Sequence, residues 1–222
     1  VVWASCMVAC GDADGAVTGN TRRFGASLEK IKQVVNVRPG EIMFGLNLVV
    51  YKGKTIFVGD TSVHEYPSSE QMVDIAISAA RVVRLFGFEP KVAFVSHSTF
   101  GQPLTSRTKH IKNAVEILKQ KNVNFEFDGD MQPDVALNEE YKSLYPFSKI
   151  VGNANILIMP GQHSAAISYK MMKTLGDTKV IGPLLIGLGL PIEIAPLRSS
   201  TSEILNLASV AAYSADIIDY KK

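Results

Sequence analysis

Two short apolar runs, Val92-Ala93-Phe94-Val95 and Ile156-Leu157-Ile158-Met159, constrain the fold more than any other feature of the chain. A strand with one wet face alternates polar and apolar residues. An unbroken run belongs to a strand covered on both faces, as in a parallel sheet between helices. The first run, within a strand over Lys91–Ser96, leads through a polar loop, His97–Arg107, to helix-period sequence at about Thr108–Lys121. The second ends at Pro160 and leads to a helix over Ser164–Leu175, closed by Gly176. Strand, loop and helix in that alternation predict an α/β fold with a largely parallel sheet.

The remaining segments fit this reading. Gly45–Tyr51 and Thr55–Asp60 are strands joined by Lys52-Gly53-Lys54, a hairpin signal. Ser68 is a good N-cap, Gln71 its capping-box partner, and Gly87 a C-terminal stop, so a helix runs between them. Val1–Cys10 reads as a helix tail, Ala16–Gly19 as a short buried strand, and Ser27–Val35 as a helix. Phe125–Phe127 is a short strand, Val180-Ile181 starts a last strand, and a helix over about Thr201–Asp219 ends the chain. In such folds ligands sit beyond the carboxyl ends of the strands. Three loops hold that position: Ser96–Ser106, Pro160–Ser164 and Ile194–Ser200, all with hydroxyls, amides, glycine or proline.

Composition excludes several classes. Lys+Arg number 23 against 21 Asp+Glu, and the basic residues are scattered, unlike the basic face of a nucleic-acid binder. The longest apolar stretch, Val180–Ile194, is interrupted by Gly182, Pro183, Gly187, Gly189 and Pro191 and cannot span a membrane. Cys6 and Cys10 make neither a disulfide scaffold nor a complete zinc site, which sets a reduced, cytoplasmic location as the expectation. The first residue is Val1 and no signal peptide follows, so the chain is expected to be a fragment of a longer polypeptide.

Some residues carry candidate chemistry. Ser96-His97-Ser98-Thr99-Phe100-Gly101 follows a buried strand, where hydroxyls and free N–H groups near a helix start hold a phosphate or simply cap a turn. Asp128 and Asp130 flank Gly129 as a metal or acid/base pair, or as a solvated turn; Asp12 and Asp14 carry the same ambiguity. His163 follows Pro160-Gly161-Gln162 at a helix mouth and is expected to position or contact a ligand. His64 and His110 read as surface residues. Ser200 and Glu203 have capping-box spacing, and Arg198 before them suits an anion. Neither a phosphate-binding P-loop nor a dinucleotide glycine fingerprint is present.

Several spaced motifs add up to a resemblance that covers essentially the whole chain. Asp128-Gly129 with Asp134, Ala136 and Leu137, and Gly152, Ala154, Asn155, Leu157, Ile158 and Pro160 resemble the phosphate acetyl/butyryltransferase (phosphotransacetylase) family. Ser164, Ile167, Tyr169 and Lys170, and Ile181-Gly182-Pro183 with Leu185, Gly187 and Leu188 do so too. Gly11–Gly15, Val58-x-Asp60-Thr61-x-Val63-His64-Glu65 and Ile194–Ser200 are similar, more narrowly, to the phosphotransacetylase-like C-terminal domain of bacterial NADP-dependent malic enzymes, here truncated at its N-terminus.

That resemblance implies an α/β/α sandwich of two lobes, of the isocitrate/isopropylmalate dehydrogenase type. Val37–Pro183 would form one lobe, and Val1–Asn36 with Leu184–Lys222 an incomplete other. It implies a domain that binds acetyl-CoA as effector and supports homo-oligomer assembly beside a malic enzyme domain in cis. NADP and a divalent metal would belong to that other part, with no metal, nucleic acid or membrane partner here. The implied acetyl-CoA contacts are Ser98, Thr99, Gly101, Pro160, His163, Arg198, Ser199 and Ser200. The resemblance also exposes departures. Where active family members carry a reactive serine and arginine, an ungapped count from Gly182-Pro183 falls on Pro196 and Leu197; the aspartate falls on Glu203, and a second arginine on Glu29. No catalytic residue is therefore expected, with a working acyltransferase or a purely structural oligomerisation domain as the alternatives.

Overall fold

The computed structural model describes residues 1–217. After helix α1 (Val2–Cys10), strand β1 (Ala16–Gly19) and helix α2 (Phe24–Ile31), the chain makes a hairpin of β2 (Phe44–Tyr51) and β3 (Lys54–Gly59). Lys52 and Gly53 form its two-residue turn with φ of 46° and 76°, the paired left-handed conformations of a turn whose twist matches the strands.

Helix α3 (Ser69–Leu85) then leads to β4 (Lys91–Val95), α4 (Ser106–Gln120) and β5 (Glu126–Met131). Short helices α5 (Pro133–Leu137) and α6 (Glu139–Lys142) precede β6 (Ile156–Ile158), α7 (Gln162–Leu175), β7 (Thr178–Ile186), β8 (Ile192–Ala195) and α8 (Thr201–Ile217).

Six strands form one sheet in the order β5-β4-β6-β3-β2-β7. The pairs β5/β4, β4/β6 and β6/β3 are parallel, and β2 is antiparallel to both its neighbours. The apolar runs bury alternate residues on opposite faces. Val92, Phe94, Ile156 and Ile158 join Met72, Ile75 and Leu118 of α3 and α4 in one cluster. Ala93, Val95, Leu157 and Met159 join Val135 and Ala136 of α5 and Ala165 of α7 in another. The result is an α/β/α sandwich. Truncating a buried side chain such as Phe94 to Ala would cost about 3–5 kcal/mol.

The remaining strands, β1 and β8, pair in parallel as a separate two-stranded sheet. Its own cluster holds Val8, Leu28, Ile31, Ile192 and Ile194. Among the described residues no helix is long and apolar enough to cross a membrane.

The structure corrects several expectations. Helix α2 spans Phe24–Ile31 rather than Ser27–Val35, because the N–H groups of Val34 and Val35 both turn back to Ile31 O and tighten the chain out of the helix. Helix α4 starts at Ser106, two residues early, because Thr105 caps it. Strand β1 is half-exposed rather than buried, since its sheet has only two strands. Strand β8 was not foreseen. The expected terminal helix is present to Ile217; Asp219 lies outside the described residues.

Glu193 in β8 interrupts an otherwise apolar strand and is 5% exposed. Its Oε2 accepts from Leu185 N–H at 2.9 Å. Burial pushes its carboxyl up to about 8, against the opposing pull of that bond. The folded state therefore holds the proton more tightly than the unfolded chain. The stability this lends is complete below the unfolded carboxyl value and is lost as pH rises through about 8. Each unit of displacement is worth about 1.4 kcal/mol, so the loss is several kcal/mol at most. Glu193→Gln keeps the shape without the charge. Urea unfolding of the two proteins should show near-equal stability at pH below the carboxyl range and a variant advantage that grows towards about pH 8; a pH-independent difference would contradict this.

Candidate functional site at the strand ends

Strands β3, β4 and β6 run in the same direction, so their carboxyl ends open onto one edge of the sheet. The next helices, α3, α4 and α7, all begin there. Local sequence makes each start. Ser68 and Gln71 form a reciprocal capping box, with Gln71 N–H to Ser68 Oγ at 3.1 Å and Ser68 N–H to Gln71 Oε1 at 2.8 Å. Thr105 and Thr108 do the same for α4, at 3.2 and 2.7 Å. Gly161 caps α7, where a Cβ would meet Glu65 O at 2.5 Å, so only glycine lets the two loops approach.

Between these helix starts lies a cavity of about 510 Å3. Ser96, His97, His110, Pro160, His163 and Ser164 are among its walls, with Tyr66, Ser68 and Gln71 on the α3 side. No carboxylate lines it among the described residues. Three helix N-termini, each with about half a positive charge, and a lining of hydroxyls and imidazoles give it a donor-rich surface of positive potential. Among the described residues there is no group of three or more His, Cys, Asp or Glu that could hold a metal ion.

The cavity rests on two buried carboxylates. Asp60, after β3, is 1% exposed. Its oxygens accept from the N–H groups of Gly45 and Ser62 at 2.8 Å, Val63 at 3.1 Å and His64 at 2.7 Å, and His64 Nδ1 lies 2.8 Å away. Asp130, in β5, accepts from Ser98 Oγ and from Gly101 N–H, the latter at 3.0 Å. Asp128 accepts from Gly129 N–H at 2.9 Å and Lys149 N–H at 2.7 Å. Asp128 and Asp130 are thus buried loop anchors, neither a metal pair nor a solvated turn, because β5 runs on through them to Met131.

The expected site residues separate into three groups. Pro160 and the exposed His163 line the cavity. Ser98, Thr99 and Gly101 are buried beneath it. Ser98 serves Asp130, Thr99 Oγ1 accepts from Gln132 N–H at 3.3 Å, and Gly101 offers its N–H to Asp130. Arg198, Ser199 and Ser200 lie beyond β8 on the other sheet and do not line the cavity. Arg198 is exposed, with φ of 61° and its N–H on Asn20 O at 3.0 Å. Ser199 Oγ donates to Pro196 O at 2.9 Å.

Ser200 caps α8 with Glu203, whose carboxylate accepts Ser200 N–H at 2.7 Å. The Lys173 ammonium and that N–H hold Glu203 down at about 2. Glu29 sits on the surface beside Lys32. The loop after β3 links the two regions, since Val63 packs into the core of the small sheet.

His64 and His110 are not simple surface residues. His64 is held by Asp60. His110 Nε2–H donates to Pro67 O at 2.8 Å, and its Nδ1 lies 3.1 Å from Ser69 Oγ, which locks the α4 start to the α3 start. Sequence reasoning missed His110, Tyr66 and Gln71 as cavity residues. The available signal was their place in the first turns after parallel strands.

The geometry defines a doubly covered α/β protein with an anion-receptive crevice at its strand ends, and comparison assigns that class. The Phosphate acetyl/butaryl transferase profile matches residues 1–212, and the chain belongs to that family. It is 45% identical over 213 residues to the NADP-dependent malic enzyme of Rhizobium meliloti, an alignment covering 96% of this chain and 28% of that protein. It is 32% identical to the phosphate acetyltransferase of Clostridium acetobutylicum, over 96% of this chain and 67% of that one. The crystal structure of a phosphotransacetylase from Streptococcus pyogenes superposes with a TM-score of 0.89 at 28% identity, over 97% of this chain and 67% of that one. The chain thus spans less than a third of the malic enzyme it matches.

Asp60→Ala strands four backbone donors, one buried and three partly buried, and an imidazole that together shape the loop. Charged hydrogen bonds contribute about 1.5–3 kcal/mol each, so a loss of at least about 3 kcal/mol in denaturant unfolding is expected. His64→Ala, which leaves the backbone donors satisfied, should cost clearly less. Equal costs would refute the anchor role.

Proposed function

We propose that this chain is the phosphotransacetylase-like regulatory part of an NADP-dependent malic enzyme, binding acetyl-CoA as an effector without turning it over. The observation that carries this reading is the carboxylate-free cavity among three helix N-termini, which suits the phosphate-rich end of a CoA thioester. In this reading Pro160 and His163 contact the ligand directly. The Ser98–Gly101 loop shapes the wall, and Arg198 with Ser199 and Ser200 approaches from the first, incomplete lobe, of which 1–36 and 184–222 would be part. The malic enzyme part in cis oxidises malate and carries NADP and the divalent metal; the assembly is a cytoplasmic homo-oligomer.

Acyl transfer needs more than binding: a cationic clamp on the phosphoryl group and a group to activate the thiol. Pro196 and Leu197 supply neither, and Glu29 is paired with Lys32 on the surface. An active phosphate acyltransferase is the second reading, favoured by the 32% identity to the Clostridium acetobutylicum enzyme. An oligomerisation role is favoured by the exposed Ile167, Met171 and Leu175, spaced four apart along α7.

Calorimetric titration of acetyl-CoA and an assay of acetyl-CoA formation from acetyl phosphate and CoA separate these readings. Saturable binding with no turnover is expected. Turnover of order 10 per second, ordinary for an enzyme, would establish the second reading, and absence of binding would leave the third. Arg198→Ala should weaken acetyl-CoA binding about tenfold or more, since a charged contact is worth roughly 1.5–3 kcal/mol and about 1.4 kcal/mol is a decade. Unchanged affinity would remove Arg198 from the site.

A further inference from the structure

A second hollow, of about 110 Å3, lies between α3, α8 and the β7–β8 connection and shares no lining residue with the strand-end cavity. Its apolar lining comes from Phe86 of α3, Leu184 and Ile186 of β7, Pro191 of the connection, and Val210 and Ile217 of α8, with charged groups at its edge. Glu193 faces the same hollow.

The strand around it reads Ile-Glu-Ile-Ala. Ile192 and Ile194 turn into the small-sheet core, while Ala195 joins the main cluster on the face that Glu193 shares. An aliphatic residue at position 193 would continue that face and close the hollow. A carboxyl there costs stability, and sequences break their local pattern in this way at sites that do something.

The other charged groups around the hollow, and Tyr213, have partners. Arg81 and Glu41 form a two-pronged ion pair, with Nη2 to Oε2 at 2.5 Å. Tyr213 Oη donates to Leu85 O at 3.1 Å. Arg38 Nη2 donates to Leu188 O at 3.2 Å. Glu193 differs from these. It is a lone buried carboxyl in an apolar strand, 5% exposed, and its Oε2 takes the Leu185 N–H at 2.9 Å.

We propose that this hollow is a binding site for a small, uncharged, mostly apolar molecule bearing one hydrogen-bond acceptor, such as a ketone or amide carbonyl, with the Glu193 carboxyl as the donor to that acceptor. Burial keeps the acid protonated up to about pH 8, so the donor exists at neutral pH. Phe86, Leu184, Ile186 and Pro191 offer nothing to solvate an ion, Glu41 already neutralises Arg81, and Arg38 is engaged by Leu188 O. An apolar cavity of about 150 Å3 admits benzene, which sets the size class at a five- or six-membered ring or a short chain. The site goes beyond the acetyl-CoA reading and does not depend on it.

The groups facing the hollow give the test its sign. Arg38 and Arg81 stay charged throughout. Burial alone would raise Glu41, but the Arg81 guanidinium holds it below the ordinary carboxylate range, so it stays ionised. Tyr213 is committed to Leu85 O. Glu193 is the group that changes state near pH 8, and as a carboxylate it can no longer donate.

The probe is cyclopentanone, titrated into the full chain while the Leu185 amide and the Glu193 carboxyl are followed by NMR. Well below pH 8, a saturable shift at both positions with millimolar affinity is expected, and well above it affinity should fall at least about tenfold, one decade or about 1.4 kcal/mol. Glu193→Gln, which keeps a donor, should bind at both pH values. Glu193→Leu, which fills the space and removes the donor, should bind at neither. No saturable shift in the native chain, or equal affinity on both sides of pH 8, overturns the proposal whether or not the variants fold.

Discussion

The structure turns on the buried carboxylate of Asp60. It closes the end of β3 by gathering the N–H groups of the following loop, and it reaches across to Gly45 in β2. In water these donors would be satisfied by solvent. Under the sheet edge they would be unsatisfied without an acceptor of matching geometry, and each would cost about 1–3 kcal/mol. With the loop so fixed, Glu65 O lies against Gly161, Val63 reaches the small-sheet core, and α3 starts where its capping box can form. One acid therefore sets the relation between the six-stranded sheet, the two-stranded sheet and the cavity between the helix starts.

Asp130 plays the corresponding part on the other side of the cavity. It draws in Ser98 and Gly101 and so fixes the loop whose neighbours, Ser96 and His97, form the wall. Both acids are fully engaged below the surface, and no acid lines the cavity itself. The field there comes from helix termini, hydroxyls and imidazoles. That arrangement suits an anionic ligand and gives it no general base beyond histidine.

The contrast between holding and transforming a ligand runs through the whole site. Loops at strand ends, helix N-termini and a wide cavity are properties of the fold, and they persist when individual side chains change. The reactive groups of a transferase are single residues, and an ungapped count from Gly182-Pro183 falls on Pro196 and Leu197 where the resemblance expects a serine and an arginine. The proposed sensor reading rests on this contrast between a crevice that belongs to the fold and chemistry that belongs to single side chains.

Much of this was legible in the sequence. Unbroken apolar runs announced strands covered on both faces, Lys52-Gly53 announced the hairpin, and Ser68 with Gln71 announced the start of α3, because each signal is local and its physics acts within a few residues. Pro160 and His163, singled out at a strand end and a helix mouth, line the strand-end cavity. What the sequence alone left undecided depended on partners far along the chain. Asp128 and Asp130 look like a polar turn until β4 pairs beside them. Ser98 looks free until Asp130 is found under it. His110 looks exposed until Pro67 meets it. Glu193 looks like an ordinary strand acid until β7 and α8 exclude water from it. Strand and helix starts follow from spacing and steric preference within a segment. Whether a polar group faces solvent, a ligand or another residue is settled only when distant segments pack, because desolvation is a property of the whole assembly of neighbours rather than of the residue.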